Sequence, residues 1–178
     1  MTANLEELKS QIPSVDILVE NNISDEEIKR NIKPLLDLDV QFKETSEEVD
    51  IIIELLNLYD LSKVEIGMIV FNKTITEDED YYYIGRVEVD LLVINKHTGT
   101  VQVLEYDEPT HTLCDCARES SAFLQALLVC NKFFWECYSD DDVYNDENKR
   151  KAVVEKCTYI AGGDSFFDFY AMLTGLEY

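Results

Sequence analysis

Between Lys63 and Tyr106 the chain leaves the helical period that flanks it on both sides and alternates apolar with polar residues, and no other stretch limits its fold as strongly. The run KVEIGMIVFN sets Val64, Ile66, Met68 and Val70 on one side, is rich in β-branched residues, and predicts a strand. After TEDED (Thr76 to Asp80), read as a solvated loop, YYYIGRVEVDLLVIN reads as one long strand. Tyr81, Tyr83, Val87, Val89, Leu91 and Val93 share one of its faces, with Arg86, Glu88 and Asp90 opposite. Gly85 inside this run marks a bulge or a close backbone approach. The segment NKHTG then turns the chain, with Gly99 free to adopt positive φ, and TVQVLEY returns as the antiparallel partner.

Helical patterns enclose this block. Ser24 and Glu27 stand in capping-box spacing ahead of a short helix over 24–36 that stops or kinks near Pro34. Thr45 and Glu48 repeat the spacing before VDIIIELLNLYDL, where Val49, Ile52, Ile53, Leu56 and Tyr59 fall on one helical face. Beyond the loop EYDEPTHT a helix is predicted from about Asp115 to Tyr138, with Phe123, Leu127, Cys130 and Phe134 on one stripe and Leu124, Leu128 and Trp135 beside it. The acidic link SDDDVYNDEN (Ser139 to Asn148) interrupts the pattern, and KRKAVVEKCTYI resumes a shorter helix that ends before Gly162 and Gly163. Asp164 is expected to cap the closing apolar helix, SFFDFYAMLTGL. The fold class that follows is α+β, a mainly antiparallel sheet with a central long hairpin flanked by helices. No repeat, low-complexity tract or Pro- or Ser-rich linker divides the chain, so 1–178 reads as a single domain, with a helical part over about 1–60 packing on the rest.

Charge sets the class of partner. The chain carries 37 Asp and Glu against 15 Lys and Arg, a formal net charge of -22. A field of that sign repels phosphate backbones and anionic lipid and accelerates encounter with a basic protein, so no direct nucleic-acid or membrane contact is expected. The alternative is that acidity serves solubility alone. MTANLEELKSQIP lacks a basic segment followed by an apolar one, and no window of 18 or more apolar residues occurs, so neither export nor membrane insertion is expected. Five cysteines at irregular spacing, Cys114, Cys116, Cys130, Cys137 and Cys157, suit reduced thiols in a cytoplasm.

The residues that carry chemistry are few. His97 and His111 are the two histidines, neither beside a Ser or Cys in a nucleophile-elbow setting. His111, Cys114 and Cys116 form HxxCxC, three soft ligands with nothing to complete a zinc site; the alternative is that these cysteines are small buried hydrophobes. Neither GxGxxG nor GxxxxGK(S/T) is present to cradle a phosphate, and no cofactor is expected. EVDLLVINKHTGTVQVLEYD resembles the core of PD-(D/E)xK nucleases, which implies Asp90 and Glu105 as Mg²⁺ ligands. That family places a Lys two residues after the Glu, where this chain has Asp107. No catalytic or metal-ligating residue is therefore expected, and Asp90 and Glu105 read as ordinary strand residues. The candidate partner-binding residues are instead the acidic runs Glu77, Asp78, Glu79 and Asp80, then Asp107 and Glu108, then Asp140, Asp141 and Asp142, together with Tyr82. Converged, they would form one acidic face; otherwise each run is an independent solvated loop.

The hairpin IGRVEVDLLVINKHTGTVQVLEYDE (Ile84 to Glu108) and the helix start ESSAFLQALLVCNKFF (Glu119 to Phe134) resemble the SMI1/KNR4, or SUKH, superfamily, and its SUKH-4 branch most. The features that carry the resemblance are Ile84-Gly85, LLVIN, Thr98-Gly99-Thr100-Val101, EYDEP, and Ser120-Ser121 with Phe123 to Leu128. The closing DSFFDFYAMLTGL is similar to the final helix of that branch. The resemblance covers about 84–178; Arg86-Val87-Glu88 departs from it, since relatives commonly carry a Gly-rich stretch there. It implies a cytoplasmic immunity protein, without shared catalytic residues, that neutralises a cognate polymorphic toxin of basic surface, such as a nuclease or deaminase domain, by stoichiometric binding. A Mg²⁺ nuclease relic and a housekeeping protein-binding adaptor are the alternatives, and the oligomeric state is left open.

Overall fold

Short turns return each strand of the period-two block against the one before it, so the sheet forms in chain order. In the computed structural model, which describes residues 2–20, 23, 24, 26, 28–33, 37 and 50–177, the strands are β1 (Glu65–Ile66), β2 (Ile69–Glu77), β3 (Tyr81–Val87), β4 (Asp90–Asn95), β5 (Val101–Leu104) and β6 (Thr112–Ala117). They make one six-stranded antiparallel sheet in the order β1-β2-β3-β4-β5-β6. The described α-helices are α1 (Thr2–Ser10), α2 (Val15–Glu20), α3 (Ile51–Leu58), α4 (Ser120–Ser139), α5 (Asp141–Tyr144), α6 (Glu147–Ala161) and α7 (Phe167–Thr174), so the fold is α+β as expected. A π-helical turn covers Ile28–Ile32.

One core joins the helices to one face of the sheet. Ile69 and Phe71 of β2, Leu92 and Ile94 of β4, and Val101 and Val103 of β5 pack in a single buried cluster with Ile52 of α3, Phe123 and Leu127 of α4, Val154 of α6 and Phe169 of α7. Burial of such side chains contributes about 1.5–3 kcal/mol each relative to leaving them exposed. Val93 and Leu104 are also fully buried but lie outside that cluster, on the strand face that alternation turns away from it.

The expected hairpin is present as β4–β5, with Leu91 opposite Leu104 and Ile94 opposite Val101. Its turn has Gly99 at φ 76. Gly85 does what its position in the strand implied, in both senses. The β3–β4 register shifts between Tyr83 and Gly85, and a Cβ on Gly85 would stand 2.6 Å from the Val70 carbonyl oxygen.

Several expectations are corrected. KVEIGMIVFN is two strands, because Gly67 at φ 59 and Met68 turn the chain. The turn reverses the phase of the alternation, so Ile69 and Phe71 rather than Met68 and Val70 enter the core beside Val64 and Ile66. The long strand over 81–95 is the β3–β4 hairpin: Glu88 takes φ 54, and Val89, at the tip, is 72% exposed rather than on an inner face. No Gly, Asn or Pro signals that turn, so a left-handed glutamate bears a backbone cost of about 1 kcal/mol that the flanking pairs offset. The helix expected from Asp115 starts at Ser120, and TLCDCA forms edge strand β6 instead. Asp164 opens a 3-10 turn, and α7 begins at Phe167 without a side-chain cap.

Asp50 caps α3, its Oδ1 accepting from the Ile52 N–H at 2.8 Å and the Ile53 N–H at 3.4 Å. Thr45, Glu48 and Val49, assigned to that helix start, lie outside the described residues, as do Glu27 and Pro34. The link over 139–148 is not structureless, since it holds α5 and the start of α6.

Candidate interaction surface

The meander sorts the acidic runs by strand direction. The β2–β3 and β4–β5 turns share one end of the sheet, called here the upper rim. The β1–β2 and β3–β4 turns and the β5–β6 loop share the other, the lower rim. β3, seven residues long, separates the rims by about 23 Å at 3.3 Å per residue. Glu77, Asp78, Glu79 and Asp80 therefore stand at the upper rim and Asp107 and Glu108 at the lower, and the sheet does not bring these two runs together.

At the upper rim the carboxylates are largely committed. Asp78 Oδ1 accepts from the Asp80 N–H at 2.9 Å and the Tyr81 N–H at 2.7 Å, closing the turn, and Oδ2 accepts from the Tyr83 hydroxyl at 2.6 Å. That hydroxyl holds the Asp78 carboxyl below its ordinary range, and the same bond pushes the Tyr83 phenol up to about 12. Lys96, from the neighbouring turn, donates to Glu77 Oε2 and to the Asp78 carbonyl, and its ammonium lies 4.5 Å from the centre of the Tyr82 ring. The Glu77 hydrogen bond raises the Lys96 pKa. His97 Nε2 lies 2.9 Å from Asp80 Oδ1. Cations thus answer much of this run locally, and Tyr82 is half-buried beneath Lys96.

The lower rim differs. Asp90 Oδ1 accepts from the Tyr106 N–H at 3.1 Å, which fastens the β5–β6 loop to the β3–β4 turn. Within the loop, the Glu105 N–H donates to the His111 carbonyl, the His111 N–H donates to the Glu108 carbonyl, and His111 Nδ1 lies 2.8 Å from Glu105 Oε2. The Glu105 hydrogen bond raises the His111 pKa. These bonds fix a loop whose outer side chains are free: among the described residues Asp107 and Glu108 carry no side-chain hydrogen bond or ion pair. Three apolar side chains stand exposed around them, Val89 at 72%, Tyr106 at 62% and Leu113 at 45%. Sequence reasoning missed Val89 and Tyr106, because the first was assigned to an inner strand face and the second to a strand end.

The third run serves a helix. Asp140 Oδ1 accepts from the Asp142 N–H at 2.9 Å as the cap of α5, and Asp141 and Asp142 occupy its first turn, where they face the positive end of the peptide dipoles. Asp141 also lines a cleft of about 890 Å³ with Lys63, Trp135, Tyr138, Tyr144 and Arg150. Arg150 Nη2 donates to the Tyr144 carbonyl at 2.6 Å.

Comparison with family models, curated proteins and solved structures finds no match for this chain. The reading of the surface therefore rests on its geometry.

That geometry also bears on the catalytic possibilities. The pairing of Leu91 with Leu104 makes Asp90 and Glu105 neighbours across adjacent strands, as a Mg²⁺ pair requires. Each is occupied, however, Asp90 by the Tyr106 N–H and Glu105 by His111. HxxCxC gathers only in part: the Cys114 and Cys116 thiols face each other on β6, while His111 turns away to Glu105. Among the described residues no group of three or more His, Cys, Asp or Glu is placed to hold a metal ion. No described helix is long and apolar enough to cross a membrane.

Proposed function

We propose that this chain binds a basic protein stoichiometrically through the lower rim of its sheet, and that the partner is a toxin domain that the chain neutralises, as the SUKH resemblance implies. The observation that carries the reading is the lower rim itself, where Asp107 and Glu108 stand beside exposed Tyr106 on a loop fixed by its own hydrogen bonds, with exposed Val89 and Leu113 on the neighbouring turn and strand. Aromatic anchors held rigid before contact supply most of the energy of typical interfaces, and surrounding charge steers the encounter. Net charge of -22 supplies that steering. Asp141 and Asp142 belong to the same reading as further exposed carboxylates near the cleft.

The neighbouring gene should encode a protein with a C-terminal toxin domain, and co-expression with that domain tests the reading. Growth should be restored, a one-to-one complex should form, and its association rate should fall as salt rises. Asp107→Lys with Glu108→Lys should slow association about tenfold at low ionic strength while leaving the melting temperature unchanged. Unrestored growth, or an association rate indifferent to salt, would overturn the reading. The adjacency of Asp90 and Glu105 favours one other reading, a Mg²⁺-dependent nuclease relic. DNA cleavage by the purified chain with Mg²⁺ or Mn²⁺, lost in Asp90→Ala, would put that reading in its place.

A further inference from the structure

Three of the five cysteines cluster where α4, α6, α7 and β6 meet. Cys116 on β6, Cys130 on α4 and Cys157 on α6 are fully buried, and the phenol of Tyr170 on α7, buried without a hydrogen-bond partner in the structure, lies among them. Within this group Cys130 Sγ and Cys157 Sγ stand 3.5 Å apart, in contact, from residues 27 positions apart in the chain. Cys157 also points its thiol at the Ala126 carbonyl of α4, at 3.5 Å, so both sulfurs sit on the line where the two helices touch.

We propose that Cys130 and Cys157 are a cross-linking site, forming a disulfide between α4 and α6 when the protein meets a low-molecular-mass disulfide such as oxidised glutathione. A disulfide needs its sulfurs at about 2.05 Å, so the pair has about 1.5 Å to close, within reach of small rotations about the two Cα–Cβ bonds. Cys114 and Cys116 are the competing pair. As residues i and i+2 of a strand their thiols face each other, and the contact lowers the Cys114 pKa, but their Cα atoms lie about 6.6 Å apart, at the outer edge of what a disulfide spans. Cys137 stands outside the buried group.

The chemistry balances in two exchanges. One thiolate attacks the glutathione disulfide, forming a mixed disulfide and releasing one glutathione thiolate. The second protein thiolate attacks the protein sulfur of that mixed disulfide, closing the cross-link and releasing the second glutathione. Two electrons pass from the cysteines to the glutathione disulfide, and the two thiol protons pass to solvent and the released thiolates. Burial puts both thiols out of reach of the oxidant in the closed protein, so the first exchange waits on local separation of α6 from α4. The cross-link then holds that helix pair together.

The test uses the full chain, reduced, then incubated with oxidised glutathione under folding conditions and in graded sub-denaturing urea. After acid quench, alkylation in denaturant and mass measurement, the five thiols should fall to three, two having been consumed. The non-reduced peptide map should join the Cys130 and Cys157 peptides. The rate should rise with urea while circular dichroism stays native, and dithiothreitol should restore all five thiols. Cys130→Ala should keep all four of its thiols; if that variant does not fold, the wild-type peptide map decides alone. Five alkylated thiols after prolonged oxidation, a persistent glutathione adduct, or a link between any other pair would overturn the proposal.

Discussion

Gly85→Ala tests the packing of the sheet at its tightest point. No positive φ is required of Gly85, so Ala would be favoured there on backbone entropy by about 0.5–1 kcal/mol if space allowed. Space does not allow it. The added Cβ would lie 2.6 Å from the Val70 carbonyl oxygen and 3.1 Å from Phe71 Cα. An ordinary C···O contact is about 3.3 Å or longer, so β2 and β3 must part by about 0.7 Å. Both obstructing atoms are backbone, and no rotamer change relieves them. With only backbone to give way, the shift costs about 3 kcal/mol, the upper end of the usual range for overpacking, and the entropy gain leaves a net destabilisation near 2 kcal/mol. For a chain of this size that lowers the melting temperature by about 4–8 °C, read by circular dichroism on heating. Gly99→Ala is the control, with open space around it and only its φ of 76 to oppose the change, and it should cost about 1 kcal/mol. A Gly85→Ala protein that melts with wild type, or above the Gly99→Ala protein, would refute the account of β2–β3 packing.

Asp78→Ala should open the β2–β3 turn and free the Tyr83 hydroxyl. Ultraviolet titration should then show one tyrosine moving down from about 12 toward 10. Because the folded pKa of Tyr83 is raised, its bond to Asp78 stabilises fully below pH about 10 and is lost as pH rises from there through about 12, so Asp78→Ala should flatten the alkaline fall in stability. His111 obeys the same sign: the stabilisation from its raised pKa is present below about 6.5 and disappears as pH rises through the folded value. The NMR titration midpoint of His111 should drop in Glu105→Gln, and an unmoved midpoint would break the assigned pair. Asp50→Ala should remove the cap of α3 and lower stability by about 1 kcal/mol in urea unfolding.

The central hairpin was legible because period-two alternation brackets a turn containing glycine, and Gly85 because a bare position in a strand has few uses. The β3–β4 turn was not, since Glu88 adopts a left-handed φ with no residue type to announce it, and the sheet pairing on either side imposes the shape. The second half of β6, from Asp115, reads as the start of the helix that follows, because small residues next to an amphipathic run satisfy either period. At the surface, the acidity of the three runs was plain in the sequence, but their bonding was not. Lys96 meets Glu77 across 19 positions only because two turns share one rim, a consequence of register rather than of any local pattern. The same register left Asp107 and Glu108 at the opposite end.

A sheet whose strands neighbour one another in space as they do along the chain can assemble vectorially, each new strand finding its template already made as it leaves the ribosome. Pairing needs no distant segment until β6, which has only one strand beside it and relies on the later α6 and α7 region for shelter, Arg118 just beyond it bonding to the Ala161 carbonyl. The nascent chain therefore carries an exposed edge until α6 and α7 have been made, the interval in which chaperone capture or mispairing would act most strongly on this protein.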